Sequence, residues 1–277
     1  MDFSDIINFS DYDQLLPLVT NSLLAGALLA LIGGLVGVFV MHRELSFAVH
    51  GISELSFAGA AIFLLFSLDV VIGAVVGSLV AAAIIAGLGD TARDRNSIVA
   101  VLMPFGLGLG ILALALYPGR AANKFGLLTG QIVAVDDPKL SAMAIISVIV
   151  LVSLAVIWRP LTFGSLDQEV ATARGVNDRL LGVVFIMLLG LAVAGAVQIV
   201  GALLVLALLV TPAAAALRLT SSQLWVPVLS VLFAMLAMVG GTLLALGGTL
   251  PISPYVTTIS FLIYLLARGG AMLKARV

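Results

Sequence analysis

The chain has 277 residues, of which 62% are hydrophobic and 10% charged, against about 25% charged in a soluble domain. Too little polar side chain remains to cover a water-soluble fold, so lipid is the expected solvent. The net charge of −1 comes without a basic stripe, which argues against nucleic acid as a partner, and the lack of cysteine excludes disulfides, thiolate metal sites and a catalytic thiol.

The apolar residues fall in blocks of about 20, the length a helix needs to cross about 30 Å of hydrocarbon. Strand-like alternation is absent, which argues against a membrane barrel. Asp2, Asp5, Asp11 and Asp13 precede a long apolar run, unlike a secretory signal with its basic start and short apolar core. The pattern predicts an all-α integral membrane protein in one domain, 1–277, with nine helices. They lie at 15–41, 45–66, 68–89, 98–117, 140–158, 180–198, 200–217, 223–246 and 252–267. The weakest divisions are at 66–69 and 198–201.

Lys and Arg orient the helices. With the N-terminus outside, the inside loops hold Arg43, Arg93, Arg95, Arg159, Arg174, Arg179, Arg218, Arg268, Lys274 and Arg276. The outside loops hold Arg120, Lys124 and Lys139. Merging 180–217 into one span would put the basic C-terminus outside, so the bias favours nine. The glycine pairs Gly33/Gly37, Gly73/Gly77 and Gly106/Gly110 are spaced by four and read as close helix contacts. Pro212, Pro251 and Pro254 read as helix breaks or starts. No Gly-Lys-Ser or Gly-Lys-Thr phosphate loop occurs, so the chain is not expected to bind ATP by a Walker motif.

Thirteen of the 14 acidic residues fit loops or helix ends. The exception is Glu54, inside the second helix, where a charge costs about 2.5–3.5 kcal/mol on insertion scales. His50 lies one turn earlier on the same face. A neutral imidazole nitrogen and a carboxylate oxygen aimed at one spot suit a divalent transition ion such as zinc or manganese. A buried helix-stabilising ion pair and a proton relay are the other readings of the same pair. Ser53 and Ser56 are expected to add polarity to a cavity, and Gly51 and Gly59 to leave room for a neighbour. His42 is read as interfacial.

The longest inside loop, 159–179, carries most of the polar surface. Within it, Asp167 is placed to cap a short helix with Glu169 in its first turn, and Gly175 to end it. A capped surface helix between spans is a natural docking element; an ordinary solvated loop is the alternative.

The loop with Glu169, Ala171 and Gly175-Val176-Asn177 resembles the coupling helix of ABC importer permeases. The stretch from Val197-Gln198-Ile199-Val200-Gly201-Ala202 through Thr211-Pro212-Ala213 resembles the zinc and manganese permeases of the ABC-3 family. So does Arg43-Glu44-Leu45-Ser46-Phe47 through Gly59. The resemblance implies a type II ABC importer permease-like fold and a membrane-spanning subunit for zinc or manganese uptake in a bacterial cytoplasmic membrane. It implies a homodimer, a separate cytoplasmic ABC ATPase coupled through Glu169, Ala171 and Gly175, and an extracytoplasmic metal-binding protein. It also implies that His50 and Glu54 meet the transported ion, with no tightly bound cofactor. Family members commonly carry Asp and then His at these two positions, so here carboxylate and imidazole have exchanged places. A permease for a metal chelate, of the siderophore or cobalamin kind, and a self-sufficient secondary cation transporter are the alternatives.

Overall fold

A computed structural model of the protein describes residues 12–89, 91–119, 135–246 and 251–274, and every regular element among them is helical. A short lead-in, the helix Tyr12–Leu15 and the 3₁₀ turn Leu16–Val19, enters α1 (Thr20–His42). Then follow α2 (Ser46–Leu65), α3 (Val70–Leu88), α4 (Ala92–Leu116), α5 (Asp137–Leu166) and the short α6 (Gln168–Ala173). The chain continues through α7 (Asp178–Val200), α8 (Val205–Leu209), α9 (Thr211–Leu219), α10 (Trp225–Ala245) and α11 (Ile252–Lys274). Eight of these helices, counting the lead-in with α1, are long and apolar enough to cross a membrane.

The ninth expected span, 200–217, is not one helix. It is a 3₁₀ turn, Ala202–Leu204, followed by α8 and α9. Gly201 opens it at φ 76°. Pro212, in the first turn of α9, has no N–H for the carbonyl of Leu208 and interrupts the ladder. The broken segment still carries the chain from one end of the bundle to the other. Asn21 donates to Asp137 Oδ1 at 2.8 Å and Gln198 donates to the Val71 carbonyl at 3.4 Å. Those bonds gather the starts of α1, α3 and α5 with the end of α7. At the opposite end, Arg43 reaches Ser165 and Asp178. A cavity there joins His42 and Ser165 to Ser221, Ser222 and Gln223. Residues 201–220 therefore run back between the two ends of the bundle, beside the eight long apolar helices among the described residues.

Several helices overrun the predicted limits. α4 starts at Ala92 rather than 98, because Thr91 and Asp94 form a reciprocal capping box. α5 continues past 158 through Arg159 and Pro160 to Leu166, which shortens the predicted loop. The turn at 66–69 is a Schellman motif. Ser67 takes φ 57°, Leu68 N–H reaches the Phe63 carbonyl at 2.8 Å, and Asp69 then caps α3.

Small residues set the core packing. A Cβ on Gly59 would overlap the Gly73 carbonyl oxygen, and one on Gly77 would overlap that of Leu55, so α2 and α3 touch backbone to backbone. A Cβ on Gly33 would lie 3.0 Å from the Leu208 oxygen, so the interrupted segment presses on α1. The Phe39 ring meets Trp158 at 4.8 Å and Phe185 at 6.0 Å, joining α1, α5 and α7. Outward residues such as Val76, Val101, Phe105, Val152 and Val156 are exposed and apolar, as a lipid-facing surface requires.

Candidate metal-transport site

Glu54 stands eight residues into α2, about 12 Å along its axis at 1.5 Å per residue. α2 packs between α3 and α4 and also meets α7. A Cβ on Gly106 would lie 3.1 Å from the carbonyl carbon of Glu54, so α4 approaches the backbone of the site itself. Gly51 admits the Val99 side chain and Gly59 admits α3, which is the close approach these glycines predict.

His50 and Glu54 share one face. His50 Nε2 lies 3.9 Å from Glu54 Oε1, too far for a hydrogen bond but close enough for both to bind one ion. The Glu54 side chain is 6% exposed and that of His50 is 28% exposed. Glu54 Oε2 and His50 Nδ1 are buried with no hydrogen-bond partner. Native structures rarely leave such atoms unpaired, and at functional sites they await a ligand. A purely structural pair would be expected to close to bonding distance.

The two serines use their donors on backbone. Ser53 Oγ donates to the His50 carbonyl at 2.8 Å, and Ser56 Oγ donates to the Ala74 carbonyl at 3.0 Å. The first bond lies within its own helix and the second ties α2 to α3, and each oxygen keeps its acceptor lone pairs. Among the described residues no group of three or more His, Asp or Glu side chains is placed to hold a metal. Among the described residues His50 and Glu54 are thus the two candidate donors at the spot.

The short helix α6 is capped and closed as Asp167 and Gly175 predict. Asp167 accepts from Val170 N–H at 3.0 Å and caps α6. Gly175, at φ 82°, closes it: its N–H reaches the Thr172 carbonyl at 2.9 Å and Val176 N–H reaches that of Ala171 at 3.0 Å. Glu169 and Val170 are exposed, whereas Ala171 is buried and faces the body of the protein. Ala171 is therefore an anchor of the short helix, and Glu169 is the coupling candidate that a partner can reach.

Sequence reasoning missed an ion pair at the base of this loop. Arg43 Nη2 lies 2.6 Å from Asp178 Oδ1, and Arg43 Nε donates to Ser165 Oγ at 3.0 Å. In the sequence Arg43 counts toward the charge bias and the family resemblance but not toward a pair, because its partners lie 122 and 135 residues away.

The ABC 3 transport family model matches residues 16–269. The manganese transport system membrane protein MntC of Halalkalibacterium halodurans is 28% identical over 233 residues, covering 83% of this chain and 80% of that protein. The high-affinity zinc uptake system membrane protein ZnuB of Haemophilus influenzae is 26% identical over 247 residues, covering 89% and 95%. The solved structure of PsaBC from Streptococcus pneumoniae in complex with Fab superposes with a TM-score of 0.82 at 26% identity, covering 93% of each chain. With a family model spanning nearly its whole length, and a fold shared with PsaBC, the chain belongs to the ABC 3 transport family.

Proposed function

We propose that this protein is the membrane-spanning permease subunit of an ATP-driven importer of divalent metal ions, manganese or zinc. The carrying observation is the buried His50–Glu54 pair with its two unpartnered atoms in the middle of a membrane helix. Manganese and zinc also appear in the names of related family members. Two copies form the pathway, bringing two imidazoles and two carboxylates toward one axis. A separate ABC ATPase docks on α6 and an extracytoplasmic metal-binding protein delivers the ion. A metal chelate would have less need of bare donors at this depth.

The test is uptake of manganese-54 or zinc-65 into proteoliposomes carrying this chain, its neighbouring ATPase and the binding protein. ATP-dependent uptake of the free ion is expected. Uptake that needs a chelator, or that persists without the ATPase, would favour the chelate permease or the secondary transporter.

The Lys and Arg placement supports an orientation. Arg43, Arg93, Arg95, Arg159, Arg174, Arg179, Arg218, Arg268 and Lys274 gather toward one end and Lys139 stands at the other, while Arg120, Lys124 and Arg276 lie outside the described residues. The basic end faces the cytoplasm in a bacterial inner membrane, so the N-terminus is outside. A phosphatase fused after Val277 should be inactive and a fluorescent protein there should be bright; the reverse pattern would overturn the orientation.

A further inference from the structure

We propose that Arg43 is the positioning residue that transmits movement of the coupling loop to the metal-bearing helix α2; this rests on the importer reading above. Arg43 is the C-cap of α1, three residues before α2 begins. Its guanidinium bonds Ser165, one residue from the end of α5, and Asp178, the first residue of α7. Those two residues are the roots of the loop that carries α6, so one side chain pins both.

The pin is built into the packing. A Cβ on Gly164 would fall 2.5 Å from Asp178 Oδ1 and 2.9 Å from Arg43 Nη2, so the pair occupies the space of the missing side chain. A Cβ on Gly182 would lie 3.5 Å from Arg43 Nη1. The guanidinium thus lies between glycines of α5 and α7. The side chains of Arg43 and Asp178 are only 13% and 17% exposed, so the interaction is shielded from the screening that weakens surface pairs.

The connection from Arg43 to α2 is stiff. Glu44 sits at φ 55°, with its N–H on the Met41 carbonyl at 3.4 Å, and Leu45 N–H reaches the Val40 carbonyl at 2.8 Å. This Schellman turn leaves no slack linker, and Leu45 is buried. His50 and Glu54 follow one and two turns into α2. A shift of the loop roots thereby reaches the foot of α2, not only α5 and α7. The distance is covered by two hydrogen-bonded contacts and one rigid turn, a contiguous physical route.

The experiment measures ATP hydrolysed per metal ion transported, in proteoliposomes holding the full complex. Arg43→Gln and Asp178→Asn keep size and polarity but remove the charge pair. Each should raise the ATP-to-metal ratio about tenfold, the scale of a modest coupling energy. The metal concentration giving half-maximal uptake should stay unchanged, because His50 and Glu54 are intact. Arg43→Lys should recover part of the loss, since it keeps the charge but cannot reach both roots in the same fork. Gly164→Ala should raise the ratio while leaving every charge in place. If Arg43→Gln fails to assemble, Arg43→Lys and Gly164→Ala carry the test. A ratio unchanged in these variants, with ATPase rate and uptake falling together or not at all, overturns the inference and leaves a merely structural pair. A wild-type complex that shows no ATP-driven uptake would instead count against the importer reading.

Discussion

Glu54→Gln is expected to abolish metal uptake, or cut it by at least about a hundredfold, while the protein still accumulates in the membrane. The amide matches the carboxylate in shape but removes the only anionic donor beside His50 among the described residues, and even indirect support of a metal ligand is worth about 10–100-fold. His50→Ala should act likewise. Glu54→Asp withdraws the oxygen by about one bond length and should shift the preference between zinc and manganese, because the two ions differ in the ligands and geometry they favour. The site needs a neutral imidazole and an ionised carboxylate, so protons compete with the ion and uptake should fall as the medium is acidified. Isotope uptake in membranes with matched protein levels measures all of these. Normal uptake by Glu54→Gln, with a lowered thermal midpoint, would return the pair to a buried structural contact.

Gly175→Pro should uncouple ATP hydrolysis from transport. The native φ of 82° lies far from the value near −65° that the proline ring imposes, and the lost N–H bonds the Thr172 carbonyl at 2.9 Å. The closure of α6 fails, whereas the membrane helices keep their contacts. Gly175→Ala meets open space, yet still costs about 1–2 kcal/mol for a left-handed backbone, so an intermediate defect is expected. Glu169→Ala should leave stability within about 0.5 kcal/mol, as exposed substitutions do, but weaken coupling. The comparison is uptake against ATPase rate with the ATPase subunit still bound by pull-down. Unchanged uptake in Gly175→Pro would make the loop a simple linker.

The membrane class, the positions of eight long helices and the intramembrane pair were legible because hydropathy and charge placement act locally. Asp167 and Gly175 were legible for the same reason: a cap and a left-handed closure depend on a few neighbouring residues. The interruption of 202–219 was only half visible. Pro212 and the division at 198–201 signal breaks, but the apolar run offers no mark for the bend at Val210, beside the Leu208 and Leu209 backbone that packs on α1. The partners of Ser53 and Ser56 also escaped the sequence. A hydroxyl's partner is set by the nearest backbone carbonyl, and for Ser56 that carbonyl belongs to another helix. The Arg43–Asp178 pair lay beyond reach because nothing local distinguishes an arginine that spans 135 residues from one that meets headgroups.

The interrupted segment has a consequence for the order in which the chain is made. Ser260 of α11 donates to the Ala207 carbonyl of α8 at 2.8 Å, and the two residues are 53 apart. At about 5–20 residues per second, α11 emerges from the ribosome roughly 3–10 s after α8. Lipid cannot bond a carbonyl that the bends of 202–219 leave outside a helical ladder. α1, made earlier, lies against the Leu208 and Leu209 carbonyls at Gly33 and Gly37. The Ala207 carbonyl gains its bond from Ser260 only when α11 arrives.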